Sequence, residues 1–168
     1  MSNREIVRSL FEYNEWANER LLDAAAELDD ADLAREFGGT SLQGIFLHIL
    51  GSHVSWLAKW TGEMPPLARV EPGRVAAALR ESYEAAHDRL RAYVDSLSDE
   101  SLDAATSLFD PDENEDWRTW ERPAWQVMLS TGTHAMQHRG EAALILTSLG
   151  HSPGQLDYSY WCWRSKDN

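Results

Sequence analysis

Apolar residues recur at three- and four-residue intervals in four stretches of the chain. In the first, Ile6, Leu10, Tyr13, Trp16, Ala17, Leu21 and Ala24 share one face, which predicts an amphipathic helix over residues 3–27. Ser2 and Glu5 have the spacing of a capping box at its start. Asp29, Asp30 and then Phe37-Gly38-Gly39 break the pattern. Thr40 with Gln43 repeats the capping signal, and Leu42, Ile45, Phe46, Ile49, Leu50, Val54 and Leu57 carry a second helix to Thr61 and Gly62. Pro65-Pro66 then requires an extended connection.

Pro72 predicts the first turn of a third helix that runs to residue 97, with Val75, Leu79, Tyr83, Ala86, Leu90, Tyr93, Val94 and Leu97 on its apolar stripe. Residues 104–122 lack helical periodicity and predict a short hairpin or an irregular loop. Pro123 opens a fourth, largely apolar helix to residue 149, and Gly150 is placed to end it. The tail beyond carries Tyr158, Tyr160, Trp161 and Trp163, and so aromatic a segment is expected to pack on the body or on a partner chain. Four long helices predict an all-α fold, a four-helix bundle in one domain over residues 1–168, whose long connections permit crossovers and leave the topology open.

Charge removes some functions from consideration. The formal net charge is −13, which repels nucleic-acid phosphates and anionic lipid. No apolar run reaches the roughly 18 residues of a membrane span. The polar N-terminus lacks the apolar stretch of a signal peptide, so a cytoplasmic location is expected. A single cysteine, Cys162, excludes an internal disulfide and any multi-cysteine zinc site. The acidic run within residues 110–116 reads as a solvated loop, without the spacing and glycine of a calcium loop.

The candidate chemistry lies in the six histidines. His134 and His138 are four residues apart in the fourth helix, one turn plus about 40°, and project from one face. His48 sits in the apolar stretch Phe46-Leu47-His48-Ile49-Leu50, where a lone histidine is more often a core residue. If the second helix lies beside the fourth, His48 completes a three-imidazole set. His53 is about 140° around the helix from His48 and is expected at the helix edge or beside the ligands. His87, flanked by Asp88 and Arg89, is expected on a solvated face, and His151 at a helix end. Three neutral imidazoles suit zinc, nickel, copper or iron rather than magnesium or calcium. Three protein ligands leave a position open, the mark of a reactive site. No phosphate-cradling glycine loop and no nucleophile elbow is present.

These residues resemble the DinB/YfiT family of metal-binding four-helix proteins. The resemblance rests on Tyr13-Asn14-Glu15-Trp16-Ala17-Asn18-Glu19-Arg20-Leu21-Leu22, on Leu47-His48-Ile49-Leu50 followed by Trp56, on His134-Ala135-Met136-Gln137-His138-Arg139-Gly140-Glu141, and on Leu149-Gly150 with Leu156-Asp157. It covers nearly the whole chain. It implies a bundle with crossovers, commonly a homodimer, and a divalent zinc or nickel ion held by His48, His134 and His138. It also implies a small-molecule substrate, since relatives include metal-dependent transferases and isomerases that use low-molecular-weight thiols such as bacillithiol or mycothiol. The expected reaction is therefore attack of a metal-activated thiol or water on an electrophile, as in an S-transferase or hydrolase. A non-catalytic metal-binding stress-response protein and a dimerising helical module are the alternatives. Arg139 and Glu141 are candidates to support the ligands or to form a plain surface pair, and Tyr13 and Trp16 to line a pocket or fill the core. Gln137 departs from the histidine common there in the family. The Trp-rich acidic loop over residues 110–125 reads as a substrate lid or a dimer contact.

Overall fold

The computed structural model describes residues 2–107 and 121–164. Its elements in order are helix α1 (Asn3–Ala25), a short α2 (Asp30–Ala34), strands β1 (Glu36–Phe37) and β2 (Thr40–Ser41), α3 (Leu42–Thr61) and α4 (Val75–Ser96). A short α5 (Asp99–Asp103), strands β3 (Ala105–Ser107) and β4 (Glu121–Pro123), α6 (Ala124–Ser148) and α7 (Tyr158–Arg164) follow. The fold is an all-α four-helix bundle built from α1, α3, α4 and α6.

The capping box forms as the spacing predicts: Ser2 N–H donates to Glu5 Oε2 at 2.7 Å, and Glu5 N–H returns to Ser2 Oγ at 3.3 Å. The second cap lies one residue later than predicted. Thr40 is held in a two-residue hairpin opposite Phe37, so Ser41 becomes the cap and accepts from Gly44 N–H at 3.0 Å. That hairpin turns on Gly38 and Gly39, both at positive φ (58° and 89°), where a side chain would be strained. Pro72 is not in the first turn of the third long helix. It precedes Gly73 (φ 76°) in a turn closed by Arg74 N–H to Glu71 O at 3.0 Å, and α4 starts at Val75. Arg74 supplies no side-chain cap. Asp30 of α2 does so instead, accepting from Val75 N–H at 3.3 Å and from Gly73 N–H at 2.5 Å.

The apolar residues fall in two clusters. One joins Leu21, Leu22 and Ala25 of α1 to Leu42, Ile45 and Phe46 of α3, Leu79 and Tyr83 of α4, and Ile145 and Leu146 of α6. The other joins Val7 and Phe11 of α1 to Leu57, Leu90, Val94, Leu102 and Met128. This fixes direction: α1 and α6 run one way, α3 and α4 the other. Helices α1 and α3 each pack on α4 and α6, so α1 and α3 face each other across the diagonal. The connection between α3 and α4 must return the full length of the bundle, a crossover that the long linker permits. The connections after α1 and α4 stay at one end.

Residues 105–107 and 121–123 pair as an antiparallel ladder, so the ends of the 104–122 segment do form a hairpin. The acidic run, Trp117 and Trp120 lie outside the described residues. The aromatic tail packs on the bundle. Gly150 (φ 88°) ends α6, and His151 N–H donates to Leu146 O at 2.9 Å. Arg20 Nε then donates to Pro153 O at 3.0 Å, and Tyr13 Oη to Leu156 O at 2.7 Å. Tyr158 and Trp161 meet the Tyr13 ring edge-on at 5.3 and 6.1 Å between centroids. Among the described residues no helix is long and apolar enough to cross a membrane.

Candidate metal centre

The core face of α3 is taken by Leu42, Ile45, Phe46, Ile49 and Val54, which turns His48 outward at the seam with α6. His134 and His138 stand one turn apart on the facing side of α6, because Thr131, Ala135, Arg139 and Ala142 fill the interior of that helix. The three rings form a near-regular triangle, with centroids 5.0 Å apart for His48–His134, 4.4 Å for His48–His138 and 4.7 Å for His134–His138. One ring nitrogen from each lies within 4.8 Å of the others, and His48 is exposed while His134 and His138 are half-buried. The trio is a surface feature rather than a buried one, despite the apolar stretch around His48.

The donor set fits a transition-metal ion. Nitrogens at about 2.0–2.1 Å from a tetrahedral ion would lie roughly 3.3 Å apart, a modest inward adjustment from the present spacing. Burial pushes the His134 pKa down, and the neighbouring His138 and His48 push it the same way, with Glu141 opposing. His134 thus favours the neutral imidazole, the form that can coordinate. His138 Nδ1–H donates to Glu141 Oε2 at 2.9 Å, which leaves Nε2 as the ligand atom. His48 is exposed, so solvent reaches the triangle at that ring.

The sequence-predicted roles divide at this point. Glu141 supports His138. Arg139 does not: it is 2 % exposed, points into the bundle and donates from Nη1 to Asn18 Oδ1 at 3.2 Å. Its guanidinium also lies 5.2 Å over the Tyr13 ring. Tyr13 is buried beneath the tail, and Trp16, half-buried, lies with its ring tilted 46° to that of Tyr160 at 6.3 Å between centroids. His87 contradicts its expected solvated face, and His53, expected at the helix edge or beside the ligands, joins it in the interior. Both are buried, with ring centroids 6.3 Å apart, and His87 Nε2 accepts from Asn18 Nδ2 at 3.2 Å. Burial pushes the His53 pKa down to about 3 and that of His87 to about 4. His151 stays at the helix end, with Nδ1 3.4 Å from Glu27 Oε2.

Asn14, Asn18, His53, His87 and Arg139 therefore form a polar layer between the two apolar clusters, with every long helix contributing. The sequence signal for it was the pair of asparagines four residues apart on the apolar stripe of α1.

The fold and the seam site together define a helical bundle with three imidazoles converging between antiparallel helices. The chain belongs to the DinB family, whose model matches residues 1–166. No curated protein and no solved structure matched the chain.

Proposed function

We propose that His48, His134 and His138 bind one divalent transition-metal ion, zinc or nickel, and that the loaded site serves an S-transferase-type reaction between a low-molecular-weight thiol and a small electrophile. The convergence of three imidazoles, without carboxylate or thiolate, on a solvent-open seam carries this reading. When bound, the ion would supply positive charge that lowers the pKa of a coordinated thiol or water. The chain's own part is positional. Glu141 fixes the tautomer and ring plane of His138, the pairing of α3 with α6 sets the spacing of the donors, and the open side admits substrate. A bacillithiol- or mycothiol-type thiol is the nucleophile that the family resemblance favours.

The test is a tag-free preparation assayed for metal and then for turnover. One equivalent of zinc or nickel, identified by anomalous scattering at the seam and lost in His134→Ala, is the expected result. Absence of stoichiometric metal, or retention of it in His134→Ala, would overturn the site. Metal-dependent conjugation of a model electrophile that disappears in His138→Ala would support the reaction. Metal binding with no turnover across a broad thiol panel would replace it with a non-catalytic, metal-binding role.

A further inference from the structure

We propose that the polar layer contains a second binding site, separate from the imidazole trio and independent of any metal, whose ligand is ordered water held between Asn14 of α1 and His53 of α3. Both atoms of the Asn14 amide, Nδ2 and Oδ1, are buried without a protein partner, and so is His53 Nδ1. Asn14 is 3 % exposed and His53 2 %. Buried polar groups are almost always paired, with protein or with ordered water, so three such atoms on facing helices point to a shared guest.

The space between them exists. A cavity of about 20 Å³ is lined at its inner end by Asn14, His53 and His87, and walled by Phe11, Leu90 and Val94. Its mouth lies between α1 and α4, where the Arg8–Glu12 and Arg91–Glu15 ion pairs stand. Size decides between guests. A single water needs roughly 10–15 Å³, so the cavity holds one or two, whereas drug-sized ligands need about 300 Å³ or more.

Chemistry then selects water over an ion. The Asn14 amide presents a donor and an acceptor side by side. An anion would satisfy Nδ2 and face the negative end of Oδ1. A cation would satisfy Oδ1 and face the amide N–H. Water donates to Oδ1, accepts from Nδ2 and has a further bond for His53 Nδ1. The position also explains what the water does. Helices α1 and α3 are diagonal neighbours, and no hydrogen bond joins Asn14 to His53 directly. Asn18 already ties α1 to His87 of α4 and to Arg139 of α6. A water between Asn14 and His53 brings α3 into the same network.

Two measurements on the full chain test this. A high-resolution crystal structure is expected to show a density peak within roughly 2.6–3.2 Å of both Asn14 and His53. Oxygen-17 magnetic relaxation dispersion is expected to detect a long-lived water that Asn14→Leu loses and Asn14→Ser keeps. Asn14 and His53 bonded directly with no density between them would overturn the proposal, as would an anomalous bromide peak at the position after a bromide soak. An unchanged dispersion in folded Asn14→Leu would overturn it as well. Should that variant fail to fold, the wild-type crystal decides alone.

Discussion

The His138 imidazole and the Glu141 carboxylate meet at 2.9 Å through Nδ1 and Oε2, one turn apart on the same helix. Their pairing costs little to make, since both lie on α6, and it holds the ring as a ligand ring must be held. Glu141→Ala is expected to weaken zinc binding about 10–100-fold, the usual effect of deleting such a partner. Competition with a chromophoric chelator measures it. Unchanged affinity would reduce the pair to an ordinary surface contact, consistent with its half-exposed carboxylate.

Stripping the metal should lower the melting temperature. An ion bound only by the native state at 100 times its Kd would contribute about 2.7 kcal/mol. Calorimetry before and after verified chelation checks this, and an unchanged transition would mean that the ion is not held by the folded chain.

Acid should destabilise the metal-free protein through the polar layer. His53 and His87 are held neutral by burial, with folded pKa values of about 3 and about 4. Arg139 and Arg91 reinforce the shift, and Asp88 opposes it at His87. In the unfolded chain both return to about 6.5. The unfolded state therefore binds more protons between these limits, so stability is complete above about pH 6.5 and falls as pH drops towards 4 and 3. The slope should approach ~1.4 kcal/mol per pH unit for each histidine. Urea midpoints from pH 7 to 4.5 on chelated protein measure it. His87→Gln, which can still accept from Asn18, should flatten the curve, and an identical slope in that variant would contradict the assignment.

Asp30→Ala should cost about 1 kcal/mol, because Asp30 supplies the cap that Arg74 lacks for α4. Chemical denaturation measures the loss, and a change within error would show that water replaces the carboxylate at Val75 N–H.

Gly132→Ala sets two effects against each other. Alanine gains about 1 kcal/mol of helix propensity. A Cβ there, however, would lie 2.5 Å from Leu10 Cδ2 and 2.7 Å from Asn14 Nδ2. Overpacking of that kind costs roughly 1–3 kcal/mol, so net destabilisation is expected. A more stable variant would show that α1 yields freely at its contact with α6.

Much of this arrangement was legible in the residues. The periodicity of Leu42 to Leu57 and of the His134 helix set the two helices and their faces, and the three-imidazole set follows once they are neighbours. The interior layer was hidden for a physical reason. The charged neighbours Asp88 and Arg89 suggest a solvated His87, yet it lies four residues after Tyr83 and three before Leu90, inside the apolar stripe. Arg139 likewise lies four after Ala135 and three before Ala142. Position on the helix, not local polarity, decides burial, and a paired buried polar group is compatible with it. The Gly38-Gly39 hairpin shows in the sequence only as a break, because strands of two residues have no alternation to detect. The cap at Val75 could not be read locally at all, since Asp30 reaches it from another element.

The polar layer also controls sliding along the bundle axis. Where leucine faces leucine at every level, a helix can shift by one turn, roughly 5.4 Å, and still find an apolar partner. Here a one-turn shift of α3 or α6 would drive His53 or Arg139 into an apolar cluster, and the α6 shift would also break the Arg139–Asn18 bond. That alternative alignment is therefore costly. Because His48 rides on α3 while His134 and His138 ride on α6, the heights of the three surface donors are set by residues that never touch them.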